Sequence, residues 1–145
     1  MEHIPVVILH GWGLSAAKFL PLERELEKRG FRVILPDLPG FGDADTPKNP
    51  LHLTDYAQFL KTYLQKQHVE NPVVIGHSFG GRVALKYQQL YPESVRALIL
   101  SGTPGYTPIH KGKLTIFILI AKLGKFFFSL YPFSLLKDKM RRWYY

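Results

Sequence analysis

The chain of 145 residues contains no cysteine. That excludes disulfides, thiolate metal ligands and a cysteine nucleophile, and it fits a reducing, cytoplasmic compartment. Acidic residues are nearly missing from one end: residues 110–145 hold 8 Lys+Arg against 1 Asp+Glu, whereas residues 1–109 hold 11 against 10. The formal net charge of +8 therefore belongs to the tail. Charge alone is no nucleic-acid module, and no recognisable one accompanies it, so nucleic acid is not an expected partner. No basic segment followed by an apolar h-region opens the chain, so no signal peptide is expected. The apolar run Leu114–Ala121 meets Lys122 and Lys125 well before the about 18 residues that a membrane-spanning helix needs. No spacing of His, Asp or Glu suggests a metal site, nothing calls for a cofactor, and no internal repeat appears.

Hydrophobic residues at 46% and charged residues at 21% suit one globular domain with a real core. Ile4–Leu9 is rich in β-branched residues and apolar on both faces, as a strand buried between helical layers would be. A helical pattern over Ser15–Arg29 places Phe19, Leu22 and Leu26 on one face and ends at Gly30. Phe31–Leu35 is expected as a second buried strand, closed by Pro36-Asp37-Leu38-Pro39-Gly40-Phe41-Gly42. After a loop, Thr54 is the expected N-cap of a helix to about His68, with Tyr56, Phe59, Leu60, Tyr63 and Leu64 inward. Val73–Ile75, a helix to about Tyr91 and a strand over Val95–Leu100 complete the alternation. Strictly alternating strands and helices imply a parallel sheet with right-handed crossovers, an α/β fold of about four strands flanked by helices.

The third strand runs into Gly76-His77-Ser78-Phe79-Gly80-Gly81, and a helix leaves it. A strand, a turn of glycines and a helix with one serine at the apex is the pattern of a nucleophile elbow. The turn is so sharp that the serine's neighbours must be almost free of side chain. The hydroxyl is thereby exposed at the strand's C-terminal end, beside a helix N-terminus whose N–H groups have no partners.

Three motifs stand in order: His10-Gly11-Trp12-Gly13 after the first strand, Asp37-x-x-Gly40-x-Gly42 after the second, and the elbow after the third. Together they resemble the α/β-hydrolase superfamily, and within it the small esterase-, lactonase- and C–C-hydrolase-like enzymes. The resemblance covers residues 4–105. It implies that Ser78 is the nucleophile and that the backbone N–H groups of Trp12 and Phe79 form the oxyanion hole. It also implies the strand order Phe31, Ile4, Val73, Val95 across the sheet. Ala44 departs from the serine that the family often has there. The activity implied is hydrolysis of a carboxylic ester or lactone through an acyl-enzyme. Serine in place of aspartate at the elbow sets it apart from epoxide hydrolases and haloalkane dehalogenases.

A serine hydroxyl is a weak nucleophile without a neighbouring base. The family's order is Ser, then Asp or Glu, then His, and nothing downstream of residue 105 fits that acid or that histidine. His110 follows no strand, and His10 and His77 match positions that are structural in the family. Residues 106–145, apolar and basic, resemble the first helices of the family's lid, so the chain is expected to be the N-terminal part of a hydrolase, with its core over residues 1–105 and a partial lid over 106–145.

Three other readings compete. One is a non-catalytic or split enzyme that needs the missing half as a separate chain. Another is a membrane-surface helix over 111–136, set against the lid reading. The third takes Gly11-Trp12-Gly13-Leu14-Ser15-Ala16 with Asp37 as a dinucleotide-binding fingerprint. Trp12 opposes that last reading, because a large side chain stands where a backbone should approach pyrophosphate.

Overall fold

The computed structural model describes residues 3–104, which lie within the first of two units into which the chain divides, Met1–Gly105. The lid expected over 106–145, the membrane-surface stretch 111–136 and His110 lie outside the described residues.

Four short apolar segments form the sheet: β1 (Pro5–Leu9), β2 (Arg32–Ile34), β3 (Val73–His77) and β4 (Ala97–Ser101). They are parallel and ordered β2-β1-β3-β4, as the resemblance implies. Val6, Val7, Ile8 and Leu9 of β1 are all buried. Each such aliphatic side chain contributes roughly 1.5–3 kcal/mol by leaving water. The expected burial of the second strand is corrected: Arg32 is exposed, Val33 half-buried and only Ile34 buried. Among the described residues β2 is an edge of the sheet, with a neighbouring strand on one side only. On β4, Ile99 and Leu100 are 51% and 42% exposed, for the same reason: among the described residues β4 is the other edge.

The first helical segment is not one helix. A 3₁₀ turn over Ala16–Phe19 passes into α1 (Leu20–Glu27), with Pro21 in its first turn. Proline suits that place because the first N–H groups of a helix have no partner. Ser15 gives no side-chain cap. The Ala16 N–H donates instead to Asp37 Oδ1 at 2.7 Å. Phe19 and Leu26 are half-buried and Leu22 is exposed.

α2 (Leu53–Lys66) begins before the expected cap. His52 is the N-cap, and the Asp55 carboxylate accepts the His52 N–H at 2.7 Å. That places the carboxylate at N3, where it meets both an orphan donor and the positive end of the helix. His68, with φ of 52°, lies beyond the helix end. Tyr56, Ala57, Leu60 and Leu64 are buried, while Phe59 and Tyr63 are half-buried. α3 (Phe79–Leu90) adds Val83, Ala84 and Tyr87 to the same core, which α2 and α3 share with Val7, Leu9 and Val74 of the sheet.

Candidate active site

β3 delivers the chain to Ser78, and α3 starts one residue later. Ser78 has φ of 51° and ψ of −111°. This left-handed conformation is rare for a residue with a side chain and costs on the order of 1–3 kcal/mol. Three backbone bonds hold it. The Ser78 N–H donates to the Ser101 carbonyl at 2.9 Å, and the Ser78 carbonyl accepts Gly81 and Arg82 N–H at 3.1 and 3.3 Å. Arg82 itself is exposed, as a solvated helix residue would be.

The glycines are required by proximity. A Cβ on Gly76 would stand 2.5 Å from the Gly81 Cα, and one on Gly80 would collide with the Leu9 carbonyl oxygen. A Cβ on Gly81 would strike the Thr103 side chain. The elbow is therefore packed directly on the end of β1 and on the strand exit after β4. The turn after β1 lies just as close: a Cβ on Gly11 would be 3.4 Å from the Ser78 Cβ. The structure thus brings the His10–Gly13 turn, the elbow and Ser101–Thr103 together at the C-terminal end of the sheet.

His10 is fully buried. Its Nε2 accepts the Leu38 N–H at 3.0 Å. The proton then sits on Nδ1, which donates to the Gly11 carbonyl at 2.9 Å. Both ring nitrogens are committed to backbone, so His10 is a structural joint. His77 is half-buried, with its ring between Gly11 and Gly102. None of the hydrogen bonds among the described residues joins the Ser78 hydroxyl to a histidine or a carboxylate.

Asp37 is equally committed. Its Oδ1 takes the Ala16 N–H, and its Oδ2 takes the Asp43 N–H at 2.9 Å. A Cβ on Gly42 would run into this carboxylate. Asp37 is a clamp between the turn after β1 and the loop after β2, which leaves the dinucleotide reading without a free ribose-binding acid. Among the described residues no three His, Asp or Glu side chains are grouped to hold a metal, and no helix is long and apolar enough to cross a membrane.

Around the serine stands a group of rings that sequence reasoning missed. Phe79 is its hub: its ring centroid is 5.2 Å from Trp12, 5.1 Å from Tyr56 and 6.1 Å from Phe41. Trp12 and Phe41 meet edge to face at 4.9 Å. Such edge-to-face pairs contribute about 0.5–1.5 kcal/mol beyond their buried area. Burial pushes the Tyr56 phenol above its usual range. Trp12 nevertheless remains 70% exposed. Phe41 carried one local signal, an aromatic between two glycines in a loop. A cavity of about 490 Å³ opens beside these rings, lined by Trp12, Phe41, Leu51 and Tyr56 together with Pro47 and Lys48. A larger cavity, about 780 Å³, is lined by Pro5, Arg32 and Arg96 at the opposite, N-terminal end of the strands, away from Ser78.

A parallel sheet whose third strand ends in a strained serine, beside a glycine turn on the first strand, defines an α/β-hydrolase architecture. Residues 4–126 match the alpha/beta hydrolase fold family, and the chain belongs to it. The AB hydrolase superfamily protein YisY of Bacillus subtilis is 31% identical over 160 positions, which cover 97% of this chain and 58% of that protein. An esterase from Exiguobacterium antarcticum superposes with a TM-score of 0.67 at 33% identity, over 70% of this chain and 38% of its own. The N-acyl homoserine lactonase AidH, complexed with N-butanoyl homoserine, superposes with a TM-score of 0.65 at 33% identity, over 71% and 38%. The chain thus spans 58% of the first relative and well under half of the two structures.

Proposed function

We propose that this chain carries the nucleophile half of a serine hydrolase acting on a carboxylic ester or lactone. The observation that carries the reading is the backbone of Ser78, held at φ of 51° between β3 and α3 with the Gly11 turn against it. In this reading the Ser78 Oγ gives its proton to the base and bonds to the acyl carbon, the acyl C–O bond breaks, and the departing oxygen takes the proton, as a free alcohol from an ester or a tethered hydroxyl from a lactone. The backbone N–H groups of Trp12 and Phe79 stabilise the oxyanion; a donor of this kind is worth roughly 10²–10³ in rate. Water then hydrolyses the acyl-enzyme. The esterase and lactonase names of the structural neighbours support this substrate class.

The acid and the histidine base have no counterpart placed at Ser78 among the described residues. The proposal assigns them to polypeptide outside residues 3–104, whether on the same chain or on a separate one that completes the enzyme, and it keeps the expected cytoplasmic setting. Without the base, loss of turnover on the order of 10⁶ is the precedent for a serine triad.

The test is fluorophosphonate labelling at raised pH, where hydroxide substitutes in part for the missing base, with the adduct mapped by mass spectrometry. The expected adduct is on Ser78, absent in Ser78→Ala and formed faster in the native chain than in urea. An adduct on another residue, or equal rates in both states, overturns the reading.

A further inference from the structure

The cavity beside the rings is built for a particular kind of group. Its walls are Trp12, Phe41, Leu51 and Tyr56, its rim is Pro47 and Pro50, and its volume is about 490 Å³. That lies within the roughly 300–1,000 Å³ usual for small-molecule sites. Three wall rings, Trp12, Phe41 and Tyr56, all lean on Phe79, the residue that follows Ser78. The cavity wall is thus joined to the elbow through the Phe79 ring. Trp12 meets Phe41 and Phe79 edge to face, and Trp12, Phe41 and Tyr56 all line the cavity, so a further aromatic group entering it would find ring partners. Trp12, 70% exposed, is the largest apolar surface left uncovered at this site.

The charge pattern is one-sided. Among the described residues, Lys48 is the one ionised side chain in the lining, and no Asp or Glu contributes to it. An ammonium group entering this cavity would meet a like charge, whereas a carboxylate would meet an opposite one. Lys48 is exposed, so the discrimination is modest, about fivefold, in keeping with exposed ion pairs.

We propose that this cavity is the subsite for an aryl arm of the substrate, neutral or anionic at its far end, with Trp12 and Phe41 as its ring partners and Lys48 as its charge filter. The proposal rests on the reading of Ser78 as nucleophile for its catalytic meaning, but binding to the subsite does not require that serine. The test uses the full chain carrying Trp143→Phe, so that the indole N–H signal in a nitrogen-15 NMR spectrum belongs to Trp12 alone. Benzyl alcohol, phenylacetate and phenethylammonium are titrated in turn.

The expected result is a saturable shift with the first two and about fivefold weaker binding of phenethylammonium. Lys48→Glu reverses the order of the two ions. Leu51→Tyr, which fills part of the cavity without adding an indole, weakens all three at least about tenfold, an outcome read only if the backbone spectrum remains native. Ser78→Ala leaves all three unchanged, so loss of labelling chemistry and loss of the subsite are told apart. Absence of a saturable Trp12 shift overturns the proposal. So does an ionic order that Lys48→Glu leaves untouched, or full binding in a folded Leu51→Tyr chain.

Discussion

The His10 imidazole and the Leu38 backbone, 28 residues apart in sequence, are joined by a buried hydrogen bond of 3.0 Å from the Leu38 N–H to Nε2. The bond ties the turn that holds Trp12 to the loop that holds Phe41. His10→Ala would leave that donor without a partner, at a cost of about 1–3 kcal/mol, and would open a cavity as well. Urea unfolding is expected to show the loss. His10→Gln, which can place an oxygen near the Leu38 N–H, should lose less. Equal stability of His10→Ala and the native chain would contradict the structural role.

Gly80 and Gly81 predict the same loss on substitution by alanine but different responses to a second change. The Cβ of Gly80→Ala meets the backbone oxygens of Leu9 and His10, which cannot move without breaking β1. The Cβ of Gly81→Ala meets the side chain of Thr103 first. Both single variants are expected to lose stability. Thr103→Gly should restore most of the loss in Gly81→Ala and none in Gly80→Ala. A double-mutant cycle by thermal unfolding measures the difference, since residues in contact couple by about 0.5–3 kcal/mol.

Asp37 accepts two backbone N–H groups, one on each oxygen, from Ala16 and Asp43. Asp37→Asn keeps one acceptor and turns an amide N–H₂ toward the other donor. Destabilisation of about 1–3 kcal/mol is expected in denaturant unfolding. Hydrogen exchange should accelerate at either Ala16 or Asp43. Unchanged exchange at both amides would show that the clamp is not needed.

Alkaline pH should destabilise this chain through Tyr87 and Tyr56. Burial pushes its phenol above 10.0, the negative charge of Tyr91 adds to this, and a hydrogen bond with Ser94 opposes it. Tyr56 is raised too, by burial. A raised phenol means that the folded state holds its proton more tightly than the unfolded state. The contribution to stability is then fully present below pH 10.0 and is lost as pH rises through the folded-state value. Urea midpoints measured upward from neutrality should stay level and then fall. Tyr87→Phe, which has no proton to lose, should reduce the slope of that fall.

Much of the fold was legible because it is written in local patterns. Val6 to Leu9 and Val73 to Ile75 are β-branched runs, and Tyr56, Leu60 and Leu64 recur at helical spacing. Gly76 and Gly80 mark a turn that only glycine permits. Elements whose positions depend on a distant partner were less legible. The start of α2 moved to Leu53 because Asp55 captures the His52 N–H, and β2 was less buried than its apolar residues suggest because it lies at an edge. The ring cluster was illegible, since Trp12, Phe41, Tyr56 and Phe79 come from four separate segments.

The amino-acid sequence by itself determined the alternation of strand and helix, the strained serine at the exit of β3 and the two glycine turns that accompany it. These follow from side-chain volume and backbone freedom within a few residues. Only the tertiary structure decided that Asp37 is a clamp, that His10 spends both nitrogens on backbone, and that three rings, Trp12, Phe41 and Tyr56, wall one cavity. The physical reason is that each of these depends on which atoms fill the space next to a group. Residues 21 to 28 positions apart become such neighbours only when the sheet brings its loops to one end.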